Sequence, residues 1–195
     1  MNDTELPAYS GEHVLYEFAM LQQATNALVE KAGATGFPTS VLIESFGIHL
    51  RNLICFLFDK GQQDDVVAHH FFDDPSAWNT KISSTLQDAR IRANKEISHL
   101  TQQRKSDQHP DKPWQVVKLW DEIYQIGKEF ASKASASKLH SKVTEFFKRD
   151  AKDLKVWVAS NLQYSNSTAT VIQTSAFTTQ SIRPTISVVL KKTGG

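Results

Sequence analysis

The stretch VLIESFGIHLRNLICFLF, Val41–Phe58, decides the fold. It is apolar enough to raise the question of a membrane span, yet it carries Glu44, His49, Arg51 and Asn52. A charged side chain at the centre of a bilayer costs roughly 3 kcal/mol, so a membrane is not the expected setting. Its apolar residues, among them Leu42, Phe46, Leu50, Leu53, Ile54 and Leu57, surround the helical axis instead of forming one stripe. A helix apolar on most sides is contacted by several neighbours. The expectation is therefore a central helix that begins near Thr39 or Ser40, after Pro38, and ends by Gly61.

Working outward, the residues from His13 to Ala32 place Val14, Leu15, Phe18, Leu21, Leu28 and Val29 at helical spacing. Ser10 is read as the N-cap of this helix and Gly33 as its C-cap. After the central helix, Asp64 and Asp65 are expected to cap a short helical piece, Val66–Phe72, ahead of the turn signal Asp73-Asp74-Pro75-Ser76. A third long helix is predicted from about Trp78 to Leu100, and a fourth from about Trp114 to Ala131. A polar loop with two prolines separates them. A fifth segment runs from Lys138 to about Val158. The predicted class is all-α: an antiparallel bundle of four long helices plus a C-terminal helix, spanning residues 1–159. Residues 160–195 shift to Ser, Thr, Asn and Gln and read as a tail, either extended in two short strands near Thr170 and Ile182 or disordered.

Composition narrows function mainly by exclusion. Lys plus Arg number 22 against 21 Asp plus Glu, so binding to nucleic acid through bulk charge is excluded and would need a local basic patch. The one cysteine, Cys55, excludes an internal disulfide and a four-thiolate zinc site. Its apolar setting reads as packing, and a single thiol fits a reducing cytoplasm. The acidic opening, Met1 to Leu6, lacks the basic-then-apolar order of a secretory signal. No glycine-rich phosphate loop, nucleophile elbow or zinc motif is present, and no cofactor is expected.

The most informative chemistry lies in Arg90-Ile-Arg92-Ala-Asn94-Lys95-Glu96-Ile-Ser-His99-Leu-Thr, followed by Arg104. On a helix, Arg92, Lys95 or Glu96, and His99 share a face. A histidine titrates near neutrality and moves protons, while an arginine grips a phosphate. Together they suit metal-independent RNA cleavage, with His99 as general acid or base and Arg92 stabilising charge on the phosphorane. This stretch, paired with Ser45-Phe-Gly-Ile-His49-Leu-Arg51-Asn52, resembles the HEPN superfamily over roughly residues 41–130. The resemblance implies a helical bundle, often homodimeric, in which Arg92 and His99 of two protomers meet in one ribonuclease cleft. It also implies a toxin–antitoxin or phage-defence context and, with it, RNA or a cognate protein as partner. Six residues separate Arg92 from His99, and Ala93 stands where the family usually carries a polar residue.

The same residues have a structural role open to them, and it is the leading expectation. Glu44, Ile48 and Arg51 define one face of the central helix; Ser45, His49 and Asn52 define another. Buried, these polar groups need partners such as Asn94, Ser98 or His99, and a Glu44–Arg51 ion pair, or one with Arg92, would complete a polar seam. In that case the chain is a non-catalytic interaction or dimerisation module. Asp65/His69 and His70/Asp74, each four apart, carry the spacing for two ligands on one metal, but the acids also stand where turns want them, and no metal site is expected. Trp114, Trp120, Tyr124 and Phe130 recur at helical spacing and are core or interface residues first.

Overall fold

The computed structural model describes residues 2–31, 36–98 and 114–148. Every regular element among them is helical. In chain order they are α1 (Leu6–Tyr9), a π turn (Ser10–Val14), α2 (Leu15–Glu30), α3 (Phe37–Phe58), two 3-10 turns (Ala68–Phe71 and Pro75–Ala77), α4 (Ser84–Arg92), a second π turn (Ala93–Ser98), α5 (Val116–Lys133) and α6 (Ser141–Lys148). The all-α class follows directly. The boundary expected at residues 159 and 160, the tail and its strands, and the end of the fifth helix lie outside the described residues.

α3 is central: it packs against α2, α4, the second π turn, α5 and the Ala68–Phe71 turn. It starts earlier than expected, at Phe37, because Pro38 occupies its first turn, where a missing N–H costs nothing. Gly36 precedes it at φ 104°, a conformation that a residue with a Cβ rarely adopts. It ends at Phe58, before Gly61. By length and composition it is the one helix among the described residues that could cross a membrane.

The first helix corrects the expected cap. Asn2 Oδ1 accepts from the N–H groups of Thr4 and Glu5 at 3.1 Å, Pro7 fills the first turn of α1, and the helix is under way before Ser10. Ser10 is fully buried inside the first π turn. Its hydroxyl donates to Pro7 O at 2.9 Å and accepts from His140 N–H at 3.0 Å, joining α1 to the start of α6. Gly33 lies outside the described residues.

The third helix is also shorter than its periodicity suggested. Trp78 is extended, not helical, because its indole N–H donates to Leu57 O at 2.7 Å, satisfying a carbonyl left open at the end of α3. Its ring joins Phe56, Phe71, Phe72 and Phe130 in a cluster whose contacting centroids lie 5.3 to 6.1 Å apart. The helix starts only at Ser84, where Ser83 Oγ accepts from Leu86 N–H at 3.1 Å. Likewise, the expected helix over Val66–Phe72 is a single 3-10 turn, and Asp65 accepts from Gln62 N–H in a preceding turn instead of capping it. On the other side of the core, a Cβ on Gly127 of α5 would sit 2.6 Å from the Phe18 ring and 2.7 Å from that of Phe147. Glycine there lets α5 approach α2 and α6 closely.

Candidate functional site

Arg51 and Asn52 of α3 open onto a cleft of about 600 Å³. One wall is the first helix, which presents Tyr9, His13 and Glu17 at four-residue spacing across the π turn. The floor includes Arg51, Asn52, Cys55 and Phe56 of α3, and the rim is closed by Asp59, the segment Asp64–Val67 and Arg90 of α4. Two π turns border this region, the second supplying Asn94. Such turns widen a helix locally and re-aim the side chains they carry.

The side chains in and beside the cleft are held by specific bonds. Glu17 Oε2 accepts from His49 Nδ1 at 2.8 Å and from Asn52 Nδ2 at 3.3 Å. His49 is 9% exposed, and its ring meets Tyr16 edge-on at 5.6 Å. Arg51 donates through Nε to Asn94 Oδ1. Arg90 makes a bidentate pair with Asp59 at 2.8 and 2.7 Å. Burial pushes the Cys55 thiol above its ordinary value, and the lowering by Arg90 and Arg51 does not offset this, which favours its protonated form. Burial, then Glu17 and Asp65, push the Tyr9 hydroxyl the same way.

Of the residues singled out from the sequence, the structure brings His49 and Asn52 together on Glu17, and Arg51 together with Asn94. Glu44 is exposed and does not pair with Arg51. They stand seven positions apart, about 10 Å along the axis, too far for a comfortable contact. Arg92 also goes elsewhere: its Nε bonds both oxygens of Glu96 at 2.8 and 3.0 Å, and its guanidinium carbon lies 4.3 Å from the Trp114 ring centroid. Lys95 is exposed. His99 and Arg104 lie outside the described residues, so no distance from Arg92 to His99 enters the site. His69 and His70 meet edge-on at 4.6 Å, while Asp74 is spent capping Ser76. Among the described residues no group of three His, Cys, Asp or Glu side chains is placed to hold a metal ion.

Two contributors escaped the sequence reading. Glu17 sits between Val14 and Phe18 on the buried stripe, and an acid facing inward was a signal that a partner must exist. Asp59 is 31 residues from Arg90, and nothing local announces their pairing.

No family model, curated protein or solved structure matches the chain. The site must therefore speak through its own electrostatics. Four carboxylates (Glu17, Asp59, Asp64 and Asp65) line the cleft against two guanidiniums (Arg51 and Arg90). A net acidic lining repels phosphate.

Proposed function

We propose that the protein is a non-catalytic helical module that assembles with a second copy of itself through an exposed face of α3. One observation carries this reading: Phe37, Val41 and Ile48 are 81%, 44% and 45% exposed on a single face of the most apolar helix. Large apolar side chains left open on one face of a helix mark an interaction site. The polar groups around it are meanwhile spent within the chain, Arg92 on Glu96, His49 on Glu17 and Arg51 on Asn94. Homodimerisation and a cytoplasmic setting also accord with the HEPN-like resemblance, which this reading retains as a proposal about kinship. Sedimentation of the full chain tests it. The wild type is expected to dimerise and Ile48→Asp to be a folded monomer; a wild type monomeric at high concentration would defeat the reading.

The ribonuclease reading keeps one supporting observation. Glu96 and Trp114 hold the Arg92 guanidinium in one orientation, seven positions before His99 in the sequence. Its test is cleavage of structured and unstructured RNA in EDTA. Chelator-resistant activity lost in His99→Ala would favour it over the non-catalytic module, and equal behaviour of both proteins would end it.

A further inference from the structure

The spacing of the exposed face says more than its polarity. Phe37, Val41, Glu44, Ile48, Arg51 and Cys55 follow one another at steps of four, three, four, three and four, the seam of a two-helix coiled coil. The first, second and fourth are exposed apolar residues, Glu44 is exposed, and Arg51 and Cys55 are half-buried on the floor of the cleft. The charges pick one antiparallel register of this seam: a two-fold axis at Ile48 lays Ile48 on itself, Val41 on Cys55, Glu44 opposite Asn52 and beside Arg51, and Phe37 at the level of Asp59.

We infer that two copies meet with their α3 helices antiparallel about this axis, Glu44 of each on the partner's Arg51. The inference rests on the self-assembly reading and gives it a register. A parallel pair would set Glu44 against Glu44 and Arg51 against Arg51, two like-charge contacts on one seam, whereas the antiparallel pair converts both to attraction. Arg51 has five N–H donors, of which Nε goes to Asn94, so holding the seam and meeting a carboxylate are compatible uses. The ends fit as well. Phe37, the most exposed large apolar residue of α3, arrives at the partner's cleft, where the half-buried Val66 supplies apolar surface beside Phe56. An aromatic anchor entering a pocket is the usual centre of binding energy. The cleft is thus a socket for the start of the partner's α3.

Two experiments on the full-length protein test the register. In the first, Glu44→Arg and Arg51→Glu are each expected to weaken dimerisation by about tenfold or more. Mixing the two variants should restore it as a heterodimer, because both seam contacts become opposite in charge again. The second uses only the exposed position 41. Under mild oxidation, Val41→Cys should form a covalent dimer with native Cys55, and Val41→Cys/Cys55→Ser should not. A covalent dimer that persists without Cys55 reports parallel helices and overturns the register, as does failure of the mixed variants to recover. If Ile48→Asp leaves the dimer intact, the α3 reading itself falls, and this outcome is separate from the other two. A wild type that stays monomeric in solution but floats with phosphatidylcholine vesicles would assign the face to lipid and overturn both.

Discussion

Within α3, Phe46, Leu50, Leu53, Ile54 and Leu57 are almost completely sealed, while Phe37, Val41 and Ile48 stand open. The two sets are alike in chemistry, so the difference comes from the neighbours. α2, α4, α5 and the aromatic loop residues Phe71, Phe72 and Trp78 converge on the sealed set. The lesson is that an apolar residue on a central helix reports a need for cover without saying whether the same chain supplies it.

The largest effect should come from attacking the two sets separately. Leu53→Ala in the sealed set removes side-chain atoms at a site 1% exposed and should cost about 2–5 kcal/mol of stability. Ile48→Ala should change monomer stability by no more than about 0.5 kcal/mol, while weakening assembly. Urea denaturation at a concentration where the protein is monomeric separates the two. A comparable loss in both variants would mean that Ile48 is covered in solution by the chain itself.

His49 marks the border between the two sets, and Glu17 holds it there. Glu17→Ala would leave His49 Nδ1 and Asn52 Nδ2 without their shared acceptor, at a cost of about 1–3 kcal/mol. The effect should be smaller in Glu17→Gln, whose amide oxygen can still accept from one of them. Equal losses in the two variants would show that the negative charge, not the hydrogen bonds, is what matters at this position.

How much of this was legible in the sequence depends on whether the cause was local. The helix of Val41–Phe58 and its central place followed from an apolar pattern that surrounds the axis, and α5 followed from Val116, Leu119, Trp120, Ile123 and Phe130 at helical spacing. Trp78 was misread because its indole answers a carbonyl 21 residues away, which outweighs its place in a helical pattern. Ser10 was misread because its partner, the His140 N–H, is 130 residues distant. In the candidate site, His49, Arg51, Asn52 and Asn94 were legible as polar groups on or near a buried helix. Their pairing was not, since Arg51 had the nearer Glu44 on offer and took Asn94, across a π turn that the sequence does not announce.

A smaller effect is expected at the end of the sealed region, where Asp59 follows α3. Its pair with Arg90 is bidentate, but the side chains are 34% and 27% exposed, so solvent screens it. Asp59→Asn should cost about 1 kcal/mol or less, and the loss should shrink in high salt. A larger, salt-independent loss would show that Arg90 is held in a drier setting than its exposure implies. Arg90 also lowers the Cys55 thiol toward its ordinary value, so Arg90→Leu should slow alkylation of Cys55 still further.

The smallest effect concerns pH and the loop that covers the sealed half. His70 accepts from Val67 N–H through Nδ1 at 3.4 Å, beside the buried Phe71. Burial first, then the neighbouring His69 and Lys138, hold its imidazole below the ordinary value of 6.5. The folded protein therefore resists a proton that the unfolded chain accepts near that value. Stability should be full above it, decline as pH falls below it, and level off once pH passes the folded-state value, where both states are protonated. The open face of α3 has no histidine from Phe37 to Ile48, so this decline does not arise there. His70→Asn keeps an acceptor for Val67 but not the titration, and its Tm should fall less than that of the wild type between pH 7.5 and pH 5. If the two proteins lose Tm in parallel over that range, the acid sensitivity comes from another group, and the Ala68–Phe71 turn does not couple protonation to the cover of α3.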